Sequence, residues 1–205
     1  MTDHVLRRGK DRVLGPVAAA IPRGVHPTAI TAVAVVPGLG AAAAAAAGRP
    51  ALALSLWLLN RVLDGLDGTL ARSRGLQSAR GAYADIMLDV VVYAAIPLGM
   101  AADQGTRGAY AAAAVLLASF YVNAISWAYL SALLERRGAG ARARGESTAV
   151  SMPPGLIEGA ETIVLFALAL ALPQWSPVIM WVMAAGVAIT IGQRAVWAAR
   201  NLRDG

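Results

Sequence analysis

Six apolar stretches of about the length needed to cross a bilayer dominate this sequence. A transmembrane helix needs about 20 predominantly apolar residues, because the hydrocarbon core is about 30 Å thick and each helical residue rises about 1.5 Å. The sequence therefore predicts an all-α, polytopic membrane protein with six transmembrane helices. The predicted spans are Val25–Gly48, Pro50 to about Leu70, Ala82–Ala102, Gly108–Leu134, Gly155–Leu172 and Gln174–Ala199.

The composition supports a membrane protein and excludes several other classes. Hydrophobic residues make up 58% of the 205 residues and charged residues only 15%, against about 45–50% and about 25% in soluble domains. Too few polar side chains remain to coat a soluble surface, and the chain is too apolar to be disordered. The absence of cysteine excludes a disulfide scaffold and any cysteine-based metal site.

The basic residues predict the orientation of the six spans. With the N-terminus in the cytoplasm, the connections after the first, third and fifth spans lie outside, and they carry only Arg49 and Arg107. The other 16 of the 18 Lys and Arg residues then lie on the cytoplasmic side, as the positive-inside rule requires. The net charge of +6 is thereby explained by topology and anionic headgroups, and we expect no nucleic-acid partner.

The first 24 residues are predicted to form a cytoplasmic juxtamembrane segment, separate from a transmembrane domain over residues 25–205. Apolar or small residues recur every fourth position at Val5, Gly9, Val13 and Val17, with basic residues on the other side. This pattern predicts an amphipathic helix on the membrane surface. The alternative is a frayed basic tail.

Four aspartates lie near the cytoplasmic ends of the second and third spans. Asp64 and Asp67 are three residues apart, and Asp85 and Asp89 are four apart, so each pair projects from one helical face. Intramembrane carboxylates are costly and are functional candidates by default. Four carboxylates without histidine or cysteine form a hard oxygen site suited to Mg²⁺ or Mn²⁺, and two such ions can clamp phosphoryl oxygens. The alternative is ion pairing with nearby arginines, namely Arg61, Arg72, Arg74 and Arg80.

Small residues surround the first pair of aspartates. Gly68 and Ala71 follow Asp67 at one and four residues, although glycine within a helix costs about 1 kcal/mol relative to alanine. Bared backbone at this position allows close approach of a flat base or a diphosphate. Arg72, one turn beyond Gly68, is suited to contact a phosphate through two hydrogen bonds.

The segment from Asp64 to Asp89 resembles the signature of the CDP-alcohol phosphotransferase family. It reads D-x2-D-G-x2-A-R-x8-G-x3-D-x3-D, with every fixed position and gap of that signature present. Pro27 and Thr31 are also similar to the Pro-x-x-x-Thr opening often found on the first helix of the family.

The resemblance implies an enzyme of phospholipid biosynthesis in a bacterial-type plasma membrane, with its active site on the cytoplasmic side. The family transfers a substituted phosphate from a CDP-linked donor to an alcohol and releases CMP, using two divalent cations, Mg²⁺ or Mn²⁺. It also implies a homodimer. By position, it assigns the metals to Asp64, Asp67, Asp85 and Asp89, with Asp89 also the general base for the acceptor hydroxyl. The donor is assigned to Gly68, Ala71, Arg72 and Gly81.

A site at membrane depth favours an acylated donor, CDP-diacylglycerol, over a soluble one. Glu158, Glu161 and Arg194 are predicted at the same depth and are candidates for a pocket that binds a polyol or amine acceptor. The alternative is that they form an interhelical ion pair. A phosphorylated acceptor would instead favour the basic loop after the fourth span, which carries Arg136, Arg137, Arg142 and Arg144.

Two other functions use carboxylates inside a membrane. An intramembrane prenyltransferase holds a diphosphate with aspartates and Mg²⁺, but it gives no role to Gly68, Arg72 or Gly81. A cation transporter would place its carboxylates near the midplane and would not need the glycines.

Overall fold

The computed structural model describes residues 13–138 and 155–202, and these residues form helices and short connections without a β-strand. The predicted all-α class is therefore confirmed. The helices are α1 (residues 13–20), α2 (Pro27–Ala46), α3 (Pro50–Ser73), α4 (Ala79–Gln104), α5 (Arg107–Arg136), α6 (Gly159–Ala171) and α7 (Ser176–Asn201), with a 3₁₀ turn at Pro173–Trp175.

The chain divides into two compact units, one ending at Gly99 and the other beginning at Met100. In the first unit, α2 and α3 pack against each other and are joined by only three residues. Gly48 makes this turn with a φ of 65°, a conformation that is costly for residues with a side chain. Pro50 then starts α3, where its missing N–H has no intrahelical partner to lose.

Two glycines allow α2 and α4 to approach closely. A Cβ atom on Gly99 of α4 would overlap the backbone carbonyl of Ala42 in α2, and a Cβ on Gly38 of α2 would lie 2.6 Å from a methyl group of Val92 in α4. Small residues at such crossings let membrane helices pack backbone to backbone. The crossing therefore depends on the missing side chains.

Gly99→Ala is expected to destabilise the protein, because the added methyl group meets rigid backbone rather than a flexible side chain. Overpacking of this kind costs about 1–3 kcal/mol, so the melting temperature in detergent should fall. Gly192→Ala is the matched control, because a Cβ there meets nothing within 4 Å and alanine favours the helix. An equal response of the two variants would contradict this account of the crossing.

The helix α1 packs against the helix that carries the first aspartate pair. Ala18 is buried against Leu66 and Leu70 of α3. The guanidinium of Arg74, just beyond α3, donates hydrogen bonds to the backbone carbonyls of Ile21, Pro22 and Val25 at 2.5, 3.2 and 3.2 Å. These contacts fix the entry of the chain into α2.

Of the four residues predicted to form the amphipathic face, the structure describes only the last two. Val13 and Val17 are 73% and 51% exposed, which is compatible with an apolar face turned towards lipid. Val5 and Gly9 lie outside the described residues. The amphipathic helix over the first 24 residues therefore stays a prediction.

In the second unit, α5 packs against α7, and α6 also contacts α7. The predicted fifth span was to begin at Gly155, but α6 begins at Gly159. Glu158 is the N-cap of α6 and forms a reciprocal capping box with Glu161. Because this box satisfies the first backbone N–H groups of the helix, it determines where α6 begins.

Four helical segments in the described residues are long and apolar enough to cross a membrane. The other two predicted spans, α3 and α6, do not meet the same criteria of length and composition, each for its own reason. The helix α3 carries too many charged side chains, and α6 has only 13 residues. The four segments are Pro27–Ala46, Ala79–Gln104, Arg107–Arg136 and Pro173–Asn201.

Candidate active site

The four predicted aspartates are divided between two helices of the first unit. Asp64 and Asp67 lie in the last three turns of α3, and Asp85 and Asp89 lie in the first three turns of α4. Asp67 is 5% exposed, and the other three side chains are partly buried. A buried carboxylate is costly unless a cation or hydrogen-bond donors compensate for its charge.

Arg61 supplies one such cation and contacts an aspartate on each of the two helices. Its Nη2 atom donates a 2.8 Å hydrogen bond to Oδ1 of Asp89, and its Nη1 atom lies 3.8 Å from Oδ2 of Asp64. One guanidinium thus contacts both carboxylates, so Asp64 and Asp89 lie close together. Ion pairing with a nearby arginine, the predicted alternative to a metal site, is thus observed for Arg61, which is 9% exposed.

The Arg61 side chain is itself held by polar and aromatic neighbours. Nε and Nη2 donate to Oδ1 of Asn60 at 2.8 and 2.5 Å, and Nη1 donates to the Tyr93 hydroxyl at 3.0 Å. The guanidinium carbon lies 4.7 Å from the Trp57 ring centroid and 5.0 Å from that of Tyr93, within cation–π range. Asn60 in turn donates a 2.7 Å hydrogen bond to the carbonyl of Ala34 in α2.

This cluster of Trp57, Asn60, Arg61 and Tyr93 was not predicted as part of the site. Two of its spacings are visible in the sequence: Arg61 precedes Asp64 by three residues, and Tyr93 follows Asp89 by four. Either spacing places the pair on one helical face. These polar residues, on the same helical faces as the aspartates, were therefore the sequence pattern from which the cluster could have been predicted.

The four carboxylates are not gathered around one point in this structure. Within residues 13–138 and 155–202, no group of three or more His, Cys, Asp or Glu side chains is placed to hold a metal ion. The donor chemistry still fits a hard divalent cation, because all four candidate ligands are carboxylates. An ion held by three or more of these carboxylates would require their side chains to move from the positions described here.

Three of the four predicted donor-binding residues, Gly68, Ala71 and Arg72, lie in the last two turns of α3. A Cβ atom on Gly68 would lie 3.2 Å from Nη1 of Arg72, so the Arg72 side chain lies over the bare backbone of Gly68. Arg72 also donates a 3.3 Å hydrogen bond to Oγ1 of Thr69. Ala71 is half-buried on the same turn. Because only a flexible side chain covers Gly68, a planar or anionic group could replace it there.

Gly81 lies near the start of α4 and close to the start of α2. A Cβ atom on Gly81 would lie 3.1 Å from the Ser78 hydroxyl and 3.6 Å from the Thr28 hydroxyl. Thr31, in the predicted opening motif of α2, is buried and donates to the carbonyl of Pro27 at 3.3 Å. The hydroxyl group of Thr28, within this motif, thus lies beside Gly81 of the signature.

The three candidate acceptor residues lie in the second unit. Glu158 accepts a 2.8 Å hydrogen bond from the backbone N–H of Gly155, and Glu161 accepts a 3.0 Å bond from that of Glu158. Arg194 is 4% exposed and donates a 2.5 Å hydrogen bond to Oδ1 of Asn123. Both glutamates therefore have a structural role that does not require an acceptor.

The basic loop considered for a phosphorylated acceptor is only partly described. Arg136 ends α5, Arg137 follows as its C-cap, and both are exposed. Arg142 and Arg144 lie outside the described residues.

Comparison with known proteins identifies the family. Residues 24–192 match the model of the CDP-alcohol phosphatidyltransferase family. The inner membrane protein YnjF of Escherichia coli K12 is 36% identical over 152 residues, which are 74% of this chain and 72% of that protein. Together with the apolar helices, this similarity indicates an integral membrane protein.

The fold is similar to that of Mycobacterium tuberculosis phosphatidylinositol phosphate synthase PgsA1. Its structure with CDP-DAG bound has a TM-score of 0.74 and 21% identity, covering 95% of this chain and 98% of that one. Its structure with manganese and citrate has a TM-score of 0.73 and 22% identity, covering 94% and 92%. The family match, the curated relative and the shared fold agree: the chain belongs to the CDP-alcohol phosphatidyltransferase family and is a phosphotransferase.

Proposed function

We propose that this protein transfers a phosphatidyl group from CDP-diacylglycerol to a small alcohol and releases CMP. The observation that carries the proposal is the complete signature from Asp64 to Asp89, divided between two helices whose carboxylates are bridged by one guanidinium. A lipid donor fits a site built from membrane helices, since its acyl chains can remain in the bilayer. The similar M. tuberculosis enzyme is described with CDP-DAG bound.

We infer that two divalent cations, Mg²⁺ or Mn²⁺, bind Asp64, Asp67 and Asp85, with Asp89 at the edge of this set. Four carboxylates carry four negative charges, which two such ions would neutralise. The manganese in the similar PgsA1 structure supports the choice of ion. When bound, these ions would neutralise the phosphoryl oxygens and stabilise the charge that develops on the leaving CMP.

The side chains of this protein would perform the remaining steps. The acceptor oxygen forms a new bond to the lipid-linked phosphorus, and the bond from that phosphorus to the CMP oxygen breaks. Asp89 takes the proton of the acceptor hydroxyl as general base. Gly68, Ala71 and Gly81 leave room for the cytidine diphosphate, and Arg72 moves from Gly68 onto its phosphates. Catalysis then depends on positioning and charge neutralisation rather than on a covalent enzyme intermediate.

We also propose six membrane spans, with α3 and α6 added to the four segments identified above. The cytoplasmic N-terminus places the ends of α3 and α4 that carry the aspartates on the cytoplasmic side. Residues 1–24 form the juxtamembrane segment and residues 25–205 the catalytic domain, which we expect to form a homodimer. Glycosylation or cysteine-labelling scanning of the connections tests this topology.

The activity is tested by measuring CMP release from CDP-diacylglycerol in detergent with Mg²⁺ or Mn²⁺ and a panel of alcohols. The panel should include glycerol, inositol and serine together with glycerol phosphate and inositol phosphate, because the acceptor is the least defined substrate. Acceptor-dependent formation of CMP and a new phospholipid is expected. Diphosphate release from a prenyl diphosphate, or cation transport without CMP release, would instead support one of the alternative functions.

Glu158, Glu161 and Arg194 are proposed to contact the acceptor, and Glu158→Gln separates this role from helix capping. Glutamine keeps the Oε1 atom that accepts from Gly155, so the cap and the melting temperature should be retained. The acceptor KM is expected to rise while the donor KM stays unchanged, because only acceptor binding loses a charge.

Glu158→Ala is the control for the cap, since loss of an N-cap costs about 0.5–2 kcal/mol. An unchanged acceptor KM in Glu158→Gln and in Glu161→Gln would remove both glutamates from the acceptor site. Capping would then be their established role.

A further inference from the structure

We propose that Arg61, which lies outside the family signature, is a positioning residue that orients the carboxylate of Asp89 for proton transfer. The inference rests on the proposed function, because it assigns Arg61 to the general base of that reaction. Arg61 lies three residues before the first aspartate, on α3, whereas Asp89 lies on α4.

The hydrogen-bond geometry of Arg61 leaves little freedom for its side chain. A guanidinium has five N–H donors. Here Nε donates to Asn60, Nη2 donates to Asn60 and Asp89, and Nη1 donates to Tyr93 and faces Asp64 at 3.8 Å. The guanidinium therefore makes four hydrogen bonds, and Asp64 adds an ion pair at 3.8 Å. A lysine would keep the charge but has only three donors at a single point.

The acceptors are themselves held by other parts of the first unit. Asn60 is 2% exposed, and its amide is bound to the carbonyl of Ala34 in α2. The Trp57 and Tyr93 rings are 5.9 Å apart, and both lie within 5.0 Å of the guanidinium carbon. The contact between Arg61 and Asp89 is thus supported from α2, α3 and α4.

This contact sets the orientation of the Asp89 carboxylate. The Arg61 Nη2 atom binds Oδ1 at 2.8 Å, and a carboxylate held at one oxygen presents its second oxygen, Oδ2, in a defined direction. The Asp89 side chain is 29% exposed, so a substrate hydroxyl can reach it. A general base must lie within hydrogen-bond reach of the proton that it removes, and a misplacement of about 1 Å can lower the rate about 10²-fold.

The test is a double-mutant cycle of Arg61→Lys and Asp89→Asn, with kcat, both KM values and the melting temperature measured for each protein. Arg61→Lys alone is expected to lower kcat about 10²-fold with the donor KM changed less than about threefold. In the Asp89→Asn background the same change should lower kcat less than about threefold, because a positioning residue has no effect once its base is lost.

Arg74→Lys is the matched control, at the C-cap of the same helix. Arg74 makes three hydrogen bonds, all of them to the backbone carbonyls of Ile21, Pro22 and Val25. Its replacement should lower the melting temperature, and any effect on kcat should be the same with Asp89 or with asparagine at that position. Tyr93→Phe is a second probe of Arg61 that keeps the aromatic ring. It should lower kcat about fivefold for one lost hydrogen bond of about 1 kcal/mol, again only when Asp89 is present.

Mn²⁺ binding, followed by electron paramagnetic resonance, gives a readout that does not depend on turnover. Arg61→Lys should change the Mn²⁺ dissociation constant less than about threefold, because lysine retains the positive charge beside the carboxylates. A loss of metal binding equal to the loss in kcat would assign Arg61 to the metal site instead and overturn the positioning role.

Failure of this inference can be distinguished from failure of the proposed function. If Asp89→Asn lowers kcat and the effect of Arg61→Lys is equally large in both backgrounds, the positioning role is wrong and the assignment of the base is retained. If Asp89→Asn keeps full activity, both assignments are wrong. If CDP-diacylglycerol releases no CMP with any acceptor, the proposed function itself is wrong.

Discussion

Asp67→Asn is expected to lower CMP release at least about 10³-fold, because loss of a metal ligand removes several kcal/mol of transition-state stabilisation. Of the four signature aspartates, Asp67 is buried most completely, at 5% exposure, so water cannot easily replace its carboxylate as a ligand. Asp64→Asn and Asp85→Asn should act in the same direction. The measurements are CMP release and the number and affinity of bound Mn²⁺ ions.

Asp103→Asn is the control for this series, because Asp103 is an exposed residue near the opposite end of α4. It should leave both CMP release and Mn²⁺ binding unchanged. Chelation of the native enzyme with EDTA should abolish activity, and added Mg²⁺ or Mn²⁺ should restore it. Full activity in EDTA would exclude the two-metal mechanism.

Asp89→Asn is expected to lower kcat by about 10²–10⁴-fold, the usual contribution of a general base, while retaining donor binding. Asparagine keeps an oxygen that can accept the hydrogen bond from Arg61, so the surrounding cluster should remain folded. The melting temperature, the donor dissociation constant and kcat are measured on the same preparation.

A different result for Asp89→Asn would reassign this residue. If the variant no longer binds CDP-diacylglycerol or loses Mn²⁺ with the same severity as Asp67→Asn, then Asp89 acts mainly as a metal ligand. The acceptor proton would then need another base.

Much of the helical layout could be predicted because local residues determine it. Gly48 and Pro50 stand at the connection between α2 and α3, and Gly105 makes the turn between α4 and α5 with a φ of 62°. The start of α6 was predicted four residues too early. Its cap is formed by two glutamates, whereas the usual sequence signal for a capping box begins with serine or threonine.

The arrangement of the site could be predicted only in part. The spacing of Asp64 and Asp67 predicts one helical face, but no pattern along the chain states which side chain of α4 meets Arg61. The contact with Asp89 depends on how α3 and α4 pack, and the close approach of Gly99 to Ala42 depends in the same way on a helix crossing. Contacts of this kind follow from tertiary packing, which hydrophobic periodicity does not determine.

The ion pair between Arg61 and Asp64 also has a consequence for the biogenesis of the protein. A single Arg or Asp at the centre of an inserting helix costs about 2.5–3.5 kcal/mol, and α3 carries both side chains before α4 has been synthesised. In the proposed six-span topology, α3 would insert with part of its charge already neutralised, because the two side chains lie on the same helix. Only three residues separate α3 from the strongly apolar α2, so the two helices are suited to partition into the bilayer together, as a hairpin.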